Sequence, residues 1–378
     1  MNVLALDGVP RDYAWGSRTA IQQLLGVAED GRPIAELWFG AHSHGPSPVH
    51  GADARLDALI AADPDGMLGA ATVDEFGPQL PFLVKILAAD RPLSIQVHPS
   101  REQAADGCAR EDAAGIPRDG PNRNYRDTNH KPELLCALTR FEALCGFRTV
   151  ADTLRLLDAL RLPALIPVAE LLNRPDGLRA AFTALLRDPD PVSLADAVTD
   201  AVAGLPAEWA GPAAAVQQCA REFPGDVGIV LVLLLNHVVL EPGEAIYLGA
   251  GNVHAYLRGT GVEIMANSDN VLRCGLTPKH VDVAELLRIT DFNTLPEPRR
   301  PSVGGRFDVP VPDFALTRLE IEAPLGLDDP GPCVALCTSG RVVVGEVAVL
   351  PGHAVFVPAG VPTSISGTGE VFVAGVGF

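Results

Sequence analysis

The chain has 378 residues, of which 47% are hydrophobic and 20% charged, a balance typical of a folded globular protein. Its 47 acidic residues against 29 lysines and arginines give a formal net charge of −18, which argues against broad binding to nucleic acid or anionic membrane surfaces. A small anionic ligand is still allowed, because a few convergent cations can set the local potential. The length allows two or three domains with a substantial core.

The cysteine content and the first residues predict where the chain works. Seven cysteines form an odd set without regular spacing, which is typical of a reducing cytoplasm. The N-terminus lacks the basic leader and apolar core of a signal peptide, and the most apolar run, residues 228–235, is too short to span a bilayer. We therefore expect a cytoplasmic monomer that binds neither nucleic acid nor a membrane.

The first part of the chain is predicted to be built from strands and turns. Residues 1–148 contain short apolar runs separated by Pro, Gly and Asp. Residues 79–87 and 92–98 are the clearest strands, and we expect them to form a pair. Residues 106–127 are rich in Gly, Asp, Arg and Pro, which predicts a long loop beside these strands and a candidate lid.

The middle of the chain has a helical pattern. Within residues 149–222, Leu and Ala recur at helical spacing in four segments, residues 153–161, 165–172, 177–186 and 194–205. The block contains no histidine and no convincing catalytic cluster. It is therefore predicted to be a structural or lid domain.

After residue 224 the sequence pattern is again typical of strands, and this part of the chain contains an internal repeat. Residues 239–254 and 349–363 share a Pro-Gly turn, an apolar strand and a Gly turn, with Gly243 aligned on Gly352, Gly251 on Gly360 and His254 on Thr363. This order is typical of a jelly-roll or cupin barrel. The second copy lacks the imidazole, so only the first barrel is a candidate metal site.

These patterns predict a mainly β fold with a helical insertion, that is, two cupin or jelly-roll barrels plus an α-helical domain. The predicted domains are a discontinuous catalytic domain at 1–148 and 223–300, a helical domain at 149–222, and a C-terminal barrel without a metal site at 301–378.

The most informative motif is the pair Gln96 and His98, which strand alternation places on one polar face. Glu133 opens an apolar run, and His254 ends the Pro-Gly hairpin. A buried carboxylate needs a partner, and a divalent cation is such a partner. Two imidazoles, a carboxylate and an amide oxygen suit zinc, with Mn, Co and Fe as alternatives.

Two further groups of residues have two interpretations each. His42 and His44 form an H-x-H pair that competes as a metal ligand, although its Gly- and Ser-rich setting favours a loop contact or a site-lining role. Arg273 and Lys279 follow the His254 hairpin closely. They could clamp a phosphate, or they could pair with the abundant carboxylates of this acidic chain.

Together these segments resemble the type I mannose-6-phosphate isomerases (phosphomannose isomerases). The motifs run in the family's order from residue 13 to residue 279: YAWGS (13–17), ELWFGAHS (36–43), PFLVKIL (81–87), LSIQVHP (93–99), NHKPE (129–133), GAGNVHAY (249–256) and SDNVLRCGLTPK (268–279). Beyond residue 279 the resemblance is limited to a sequence pattern typical of β-barrels.

The resemblance implies a zinc enzyme, with the four residues above as ligands, that interconverts mannose 6-phosphate and fructose 6-phosphate through a cis-enediol. Arg273 and Lys131 would then stabilise the negative charge that develops on oxygen, and either Glu263 or His130 would be the base. Asp269 would orient Arg273 or a substrate hydroxyl. Sugar or phosphate contacts fall to four further side chains, Trp15, Lys85, Ser94 and Lys279.

Two other classes of protein stay open at this point. One is a different metal-dependent cupin, such as an oxygenase or an isomerase of another sugar; an open-site iron oxygenase is expected to use fewer protein ligands. The other is a sugar-phosphate-binding regulator on a degenerate barrel. The intact ligand set together with Glu263 and Arg273 argues against a regulator.

Overall fold

The computed structural model describes residues 2–327 and 331–378, which form two antiparallel sheets and a group of helices. The strands are β1 Leu4–Leu6, β2 Val9–Arg11, β3 Glu36–Gly40, β4 Phe82–Ala89, β5 Ile95–Val97, β6 Glu133–Ala137, β7 Phe141–Phe147, β8 Leu235–Leu240, β9 Ala245–Leu248, β10 His254–Ala266, β11 Leu272–Gly275, β12 Arg299–Arg300, β13 Ser302–Val303, β14 Arg306–Phe307, β15 Ala315–Ile321, β16 Leu325–Leu327, β17 Cys333–Val344, β18 Val347–Val349, β19 Ala354–Val357 and β20 Thr363–Gly375. The α-helices are α1 Ala20–Leu25, α2 Leu56–Ala62, α3 Pro64–Leu68, α4 Ala70–Phe76, α5 Arg101–Ala113, α6 Val150–Leu160, α7 Ile166–Leu172, α8 Gly177–Leu186, α9 Pro191–Ala201, α10 Ala210–Glu222, α11 Gly228–Leu231 and α12 Val283–Ile289.

The first sheet is organised around β10, which pairs with four other strands. The beginning of β10 lies against β5 and β7, and its later part lies against β4 and β6. The register sets His254 opposite Gln96 at one end of β10 and Met265 opposite Glu133 at the other. One long strand therefore connects the elements that carry the predicted ligands.

The second sheet contains the C-terminal strands together with the first strand of the chain. β20 pairs with β15, β16 and β17, and β19 lies between β17 and β1. Because β1 pairs with β19, the N-terminal strand belongs to this sheet by its hydrogen bonds.

The repeat predicted from the sequence is present in the structure. β9 and β19 each have four residues, and β10 and β20 each have 13, beginning at His254 and Thr363. The turns before β10 and β20 contain Gly251 with φ 77° and Gly360 with φ 68°, a left-handed conformation that glycine adopts without strain. The two hairpins thus share their geometry and differ in the residue at the ligand position.

Helices α6 to α9 overlap the four predicted helical segments, and α10 lies in the same predicted helical block but outside those four segments. Thr149 caps α6 by accepting a hydrogen bond from the Asp152 amide. The apolar faces of these helices share one core with Ile95 and Val97 of β5. The helical segment therefore supports the back of the strand that carries Gln96.

The predicted loop at residues 106–127 is wrong in its first part, which belongs to α5. Ser100 accepts a hydrogen bond from the Gln103 amide while the Gln103 side chain accepts one from the Ser100 amide, a capping box that starts this helix. The polar composition of α5 hid its helical character, because few of its side chains are apolar.

The predicted pairing of residues 79–87 with residues 92–98 is also wrong. β4 has β3 and β10 as neighbours, whereas β5 pairs with β10 and β11. Both edges of β4 are therefore occupied by strands distant in the sequence.

None of the helices in the described part of the chain has the length and apolar character that a membrane span requires.

Candidate metal centre and active-site cavity

Three side chains of types that bind metal ions meet inside the first sheet: His98, Glu133 and His254. His98 follows β5, Glu133 begins β6 and His254 begins β10. The two imidazole Nε2 atoms lie 3.5 Å from different carboxylate oxygens of Glu133, and all three side chains are buried. Among the described residues, His98 Nε2 and Glu133 Oε2 have no hydrogen-bond partner. Buried polar atoms without partners are costly, so this donor set fits a divalent metal ion.

Gln96 completes the predicted ligand set. Its backbone lies directly opposite His254, and its side-chain nitrogen is 3.2 Å from His254 Nε2. Rotating the amide by 180° exchanges nitrogen for oxygen and presents an oxygen donor at the same place. The structure thus brings all four predicted ligands together.

The protonation of the group is also suited to a metal. Burial lowers the pKa of His98 to about 4, although the Glu133 carboxylate opposes this shift. Burial alone would raise the pKa of Glu133, but the Lys131 ammonium, 3.0 Å from Glu133 Oε1, and the two imidazoles hold it well below its usual range. Neutral imidazoles and ionised carboxylates are the forms that bind metal ions.

The second nitrogen of each imidazole is held by the backbone. His98 Nδ1 lies 2.7 Å from the Asn270 carbonyl oxygen, and His254 Nδ1 lies 3.0 Å from the Asn252 carbonyl oxygen. Each Nδ1–H can therefore donate to a carbonyl, which leaves the Nε2 lone pair directed at Glu133.

A cavity of about 1000 Å³ opens beside this group, with Gln96 and Glu133 in its wall. This volume is ample for a small ligand. Eight other predicted site residues also line it: Trp15, Lys85, Ser94, Lys131, Glu263, Asp269, Arg273 and Lys279. In its wall Trp15 stacks on Tyr13 with 5.7 Å between the ring centroids.

A buried carboxylate cluster lies in the cavity wall. Glu263 Oε2 accepts a hydrogen bond from Lys85 Nζ at 2.8 Å, and Glu263 Oε1 accepts one from the Tyr256 hydroxyl at 2.7 Å. Glu36 lies 3.6 Å from the same ammonium and accepts a hydrogen bond from Trp38 Nε1. These residues come from β10, β4 and β3, which are neighbours in the sheet.

Burial raises one pKa value in this cluster, and the neighbouring charges raise another. Burial raises the pKa of Glu263; Lys85 opposes the shift, while Glu133 and Glu36 add to it. Burial would lower the pKa of Lys85, but Glu263 and Glu36 raise it above its ordinary value. Lys85 is therefore a cation, and Glu263 is a carboxylate of increased basicity.

Another part of the cavity wall is cationic and contains Arg126, Arg273 and Lys279. Burial and the neighbouring Arg126 lower the pKa of Arg273, and Arg273 together with burial lowers the pKa of Lys279. Within the described residues, none of the three forms an ion pair with an acid. Three neighbouring cations without acidic partners among the described residues give this part of the wall a positive potential, which is suited to an anion.

A second group of metal-type side chains, His42, His44 and Asp269, lies beside the cavity. The His44 amide donates to His42 Nδ1 at 3.2 Å, so the His42 proton is on Nε2, 3.6 Å from Asp269 Oδ1. A ring in this tautomer has no Nε2 lone pair for a metal. We interpret the group as a hydrogen-bonded cluster that holds Asp269, with His44 Nδ1 2.9 Å from its other oxygen.

Two of the predicted residues, His130 and Asp269, each lack a contact that the sequence predicted. His130 is not in the cavity wall, because its Nε2 lies 2.9 Å from Asp313 Oδ2 and 3.0 Å from Arg101 Nη2. Asp313 is buried, and its negative charge requires hydrogen-bond partners, which His130 and Arg101 supply. Asp269 contacts the two imidazoles described above rather than Arg273.

The structure also identifies three cavity residues that were absent from the sequence prediction. Tyr256 lies two residues after His254, so strand alternation could have placed it on the same face. Glu36 is positioned by the pairing of β3 with β4, and Arg126 lies in an irregular segment. Neither of these last two positions has a local sequence signal.

The fold and the site define a metal-dependent enzyme of sheet-rich architecture, with a His-His-Glu centre beside a partly cationic cavity. Residues 3–150 match the family model "Phosphomannose isomerase type I, catalytic domain". Mannose-6-phosphate isomerase of Salmonella typhimurium is 39% identical over 96% of both chains, and the Escherichia coli enzyme is 37% identical over 96% of both. The crystal structure of the Salmonella enzyme bound to fructose 6-phosphate and zinc has a TM-score of 0.92 at 37% identity and covers 100% of both chains. The chain belongs to the type I phosphomannose isomerase family.

Proposed function

We propose that the chain is a zinc-dependent aldose–ketose isomerase that interconverts mannose 6-phosphate and fructose 6-phosphate. The observation that carries the proposal is the pair of buried, unpartnered atoms His98 Nε2 and Glu133 Oε2, which fit a divalent cation beside the cavity. The relative bound to zinc and fructose 6-phosphate supports it.

The proposed ligands are Gln96, His98, Glu133 and His254. When bound there, zinc would supply a Lewis acid for the oxygens on C1 and C2 of the sugar. Lys131 adds a positive charge at the same place, since its ammonium lies 3.0 Å from Glu133 Oε1. Negative charge that develops on the substrate oxygens is stabilised in this setting.

Glu263 is the proposed base. It removes the proton from C2 of mannose 6-phosphate and returns it to C1, while the proton of the C2 hydroxyl moves to the C1 oxygen; the intermediate is a cis-enediol. The raised pKa of Glu263 makes it a stronger base than an exposed carboxylate. Lys85 and Tyr256 hold the carboxylate in place, and Glu36 holds Lys85.

The cationic region is the proposed phosphate site. A phosphate clamp was one of two interpretations of Arg273 and Lys279 in the sequence, beside the charge-stabilising role that the resemblance implied for Arg273, and Arg126 adds a third cation. Since none of these has an acidic partner among the described residues, a phosphate would gain their full attraction. Ser94, Trp15 and Asp269 are the proposed sugar contacts, with Asp269 oriented by His42 and His44.

We propose the domain division stated above, with the two sheets as cupin barrels. The first would comprise residues 1–148 and 223–300 and the second residues 301–378, with β1 crossing to the second sheet. The helical segment at 149–222 would serve as support, because its core includes β5. The monomeric state and the cytoplasmic location stay predictions of the sequence.

A coupled assay that follows fructose 6-phosphate formation from mannose 6-phosphate tests the proposed function. We expect turnover in the zinc-loaded protein, loss after chelation and recovery on adding zinc. In deuterium oxide, deuterium should enter C1 of fructose 6-phosphate to the extent that the proton held by Glu263 exchanges with solvent before it is returned, an exchange that proton transfer through an enediol permits. Absence of turnover in the zinc-loaded protein would overturn the proposal, and oxygen consumption would favour the oxygenase alternative.

A further inference from the structure

Asn270 is a fully buried residue between β10 and β11 whose side chain joins two segments of backbone. Its Oδ1 accepts hydrogen bonds from the amides of Arg126 at 2.7 Å and Asp127 at 3.2 Å. Its Nδ2 donates to the carbonyl oxygens of Asn129 at 2.8 Å and Asp127 at 2.9 Å. A single amide thus holds the segment 126–129 from both its donor and its acceptor side.

The backbone of Asn270 contacts the candidate metal centre. Its carbonyl oxygen accepts the 2.7 Å hydrogen bond from His98 Nδ1. This bond selects the tautomer of His98 in which Nε2 carries the lone pair, and it orients the ring towards Glu133.

The segment held by the Asn270 side chain leads to functional groups in both directions. Arg126 belongs to the cationic region of the cavity. In the other direction, Asn129 is followed closely by Lys131 and Glu133. Asn270 is therefore connected to the proposed phosphate site through Arg126. It is connected to the proposed metal site through His98 and, along the segment that follows Asn129, through Glu133.

We propose that Asn270 is a positioning residue that sets the orientation of His98 and the placement of Arg126 together. This inference rests on the proposed function, because it assigns both ends to a zinc and sugar-phosphate site. Asn270 itself is completely buried, so it acts through these residues and contacts neither ligand.

The chemistry of the position requires an amide. An aspartate would place negative oxygen against the carbonyl groups of Asp127 and Asn129. An alanine would remove the side-chain hydrogen bonds of two part-buried amides and two part-buried carbonyls, of which the Asn129 carbonyl keeps its bond from the Ser268 hydroxyl at 3.2 Å. A serine can replace only part of these bonds. The variants Asn270→Ala and Asn270→Ser therefore keep the backbone carbonyl that bonds His98 but remove, to different degrees, the side-chain bonds that fix this carbonyl against the segment 126–129.

The matched control is Asn267→Ala in the same turn. Asn267 donates a side-chain hydrogen bond to the Leu80 carbonyl and has no direct contact with His98 or Arg126. Its loss should lower the thermal midpoint but leave zinc affinity and KM unchanged. A merely structural role for Asn270 would give the same pattern.

The experiment measures zinc affinity by chelator competition, KM and kcat for mannose 6-phosphate, and thermal stability in wild type and the three variants. For Asn270→Ala we expect zinc affinity to fall about 10- to 100-fold, as for other residues that orient metal ligands. KM should rise, and Asn270→Ser should be intermediate. With cobalt in place of zinc, the visible spectrum of Asn270→Ser should differ from that of wild type.

The outcomes separate this inference from the proposed function. If wild type binds zinc and turns over but the Asn270 variants change only thermal stability, as Asn267→Ala does, the inference is wrong. If Asn270→Ala does not fold, an unchanged zinc affinity and cobalt spectrum in Asn270→Ser would overturn it equally. A wild type without zinc or turnover would refute the proposed function first.

Discussion

His130 Nε2 lies 2.9 Å from Asp313 Oδ2, and this contact turns the imidazole away from the cavity and towards the segment that precedes β15. The residue beside it, Lys131, points the other way and contacts Glu133. Adjacent residues of one motif therefore have different tasks: one joins distant segments of the chain and the other lies at the candidate metal centre.

The first prediction concerns the contact between His130 and Asp313. His130→Asn and Asp313→Asn should each destabilise the fold by about 1–3 kcal/mol, because each removes the hydrogen bond between the half-buried imidazole and the buried carboxylate. The double variant should lose clearly less than the sum of the single losses. Urea unfolding of the four proteins measures this, and strict additivity would contradict the direct contact. The kcat of His130→Asn should stay above that of a variant lacking the Glu263 carboxylate.

The second prediction concerns Glu263. Glu263→Gln keeps the shape of the side chain but removes the base, so kcat should fall about 10²- to 10⁴-fold with zinc content unchanged. Tyr256→Phe, which removes one hydrogen bond and keeps the carboxylate, should reduce kcat much less. Steady-state kinetics with parallel metal analysis tests both variants. A kcat close to wild type in Glu263→Gln would rule this residue out as the base.

The third prediction concerns the cationic region. Arg126→Ala and Lys279→Ala should each raise KM about tenfold with a smaller effect on kcat, because each removes one charge-assisted contact to phosphate. They should also weaken inhibition by inorganic phosphate. Arg118→Ala is the matched control, since Arg118 is an exposed arginine of the same irregular segment that lies outside the cavity wall and is paired with Asp112. Equal KM values in Arg126→Ala and Arg118→Ala would refute the proposed phosphate contact.

The fourth prediction concerns pH and His42. Burial lowers the pKa of His42 to about 4; Asp269 opposes this shift, and Lys85, His44 and Lys131 add to it. Between about pH 6.5 and pH 4 the unfolded chain thus binds a proton that the folded chain excludes, so stability falls as the pH falls through this window.

In metal-free protein, His42 should account for up to roughly 3 kcal/mol of this loss. Measuring the free energy of unfolding at pH 7 and pH 4.5 in wild type and His42→Asn tests the assignment. The variant should show a smaller difference between the two pH values. The same difference in both proteins would mean that His42 is not the group responsible.

The architecture could be predicted where the signal is local. The Pro-Gly and Gly turns predicted the repeated hairpins of β10 and β20, and leucine spacing predicted four helices. The pairing of β4 and the start of α5 were missed for different reasons. β4 is paired by strands distant in sequence, and α5 depends on the capping box of Ser100 and Gln103 more than on an apolar face.

The candidate site shows the same division. Gln96 and His98 could be selected because they share the polar face of one predicted strand, Glu133 because it opens an apolar run, and His254 because it ends a Pro-Gly hairpin. Glu36 was missed because the pairing of β3 with β4 brings it to Lys85. The position of His130 depends on Asp313, 183 residues away in the chain, and no local pattern contains that information.

The most direct test of the account is a titration of metal-free protein with zinc while fructose 6-phosphate formation is measured. Among the residues that the structure describes, only the group of His98, Glu133 and His254 has imidazole lone pairs directed at a common point, so activity should rise to a plateau at one zinc per chain. His98→Ala should show neither the rise nor tight zinc binding. Activity in the metal-free protein, full activity in His98→Ala, or a plateau only at two zinc ions per chain would contradict the account.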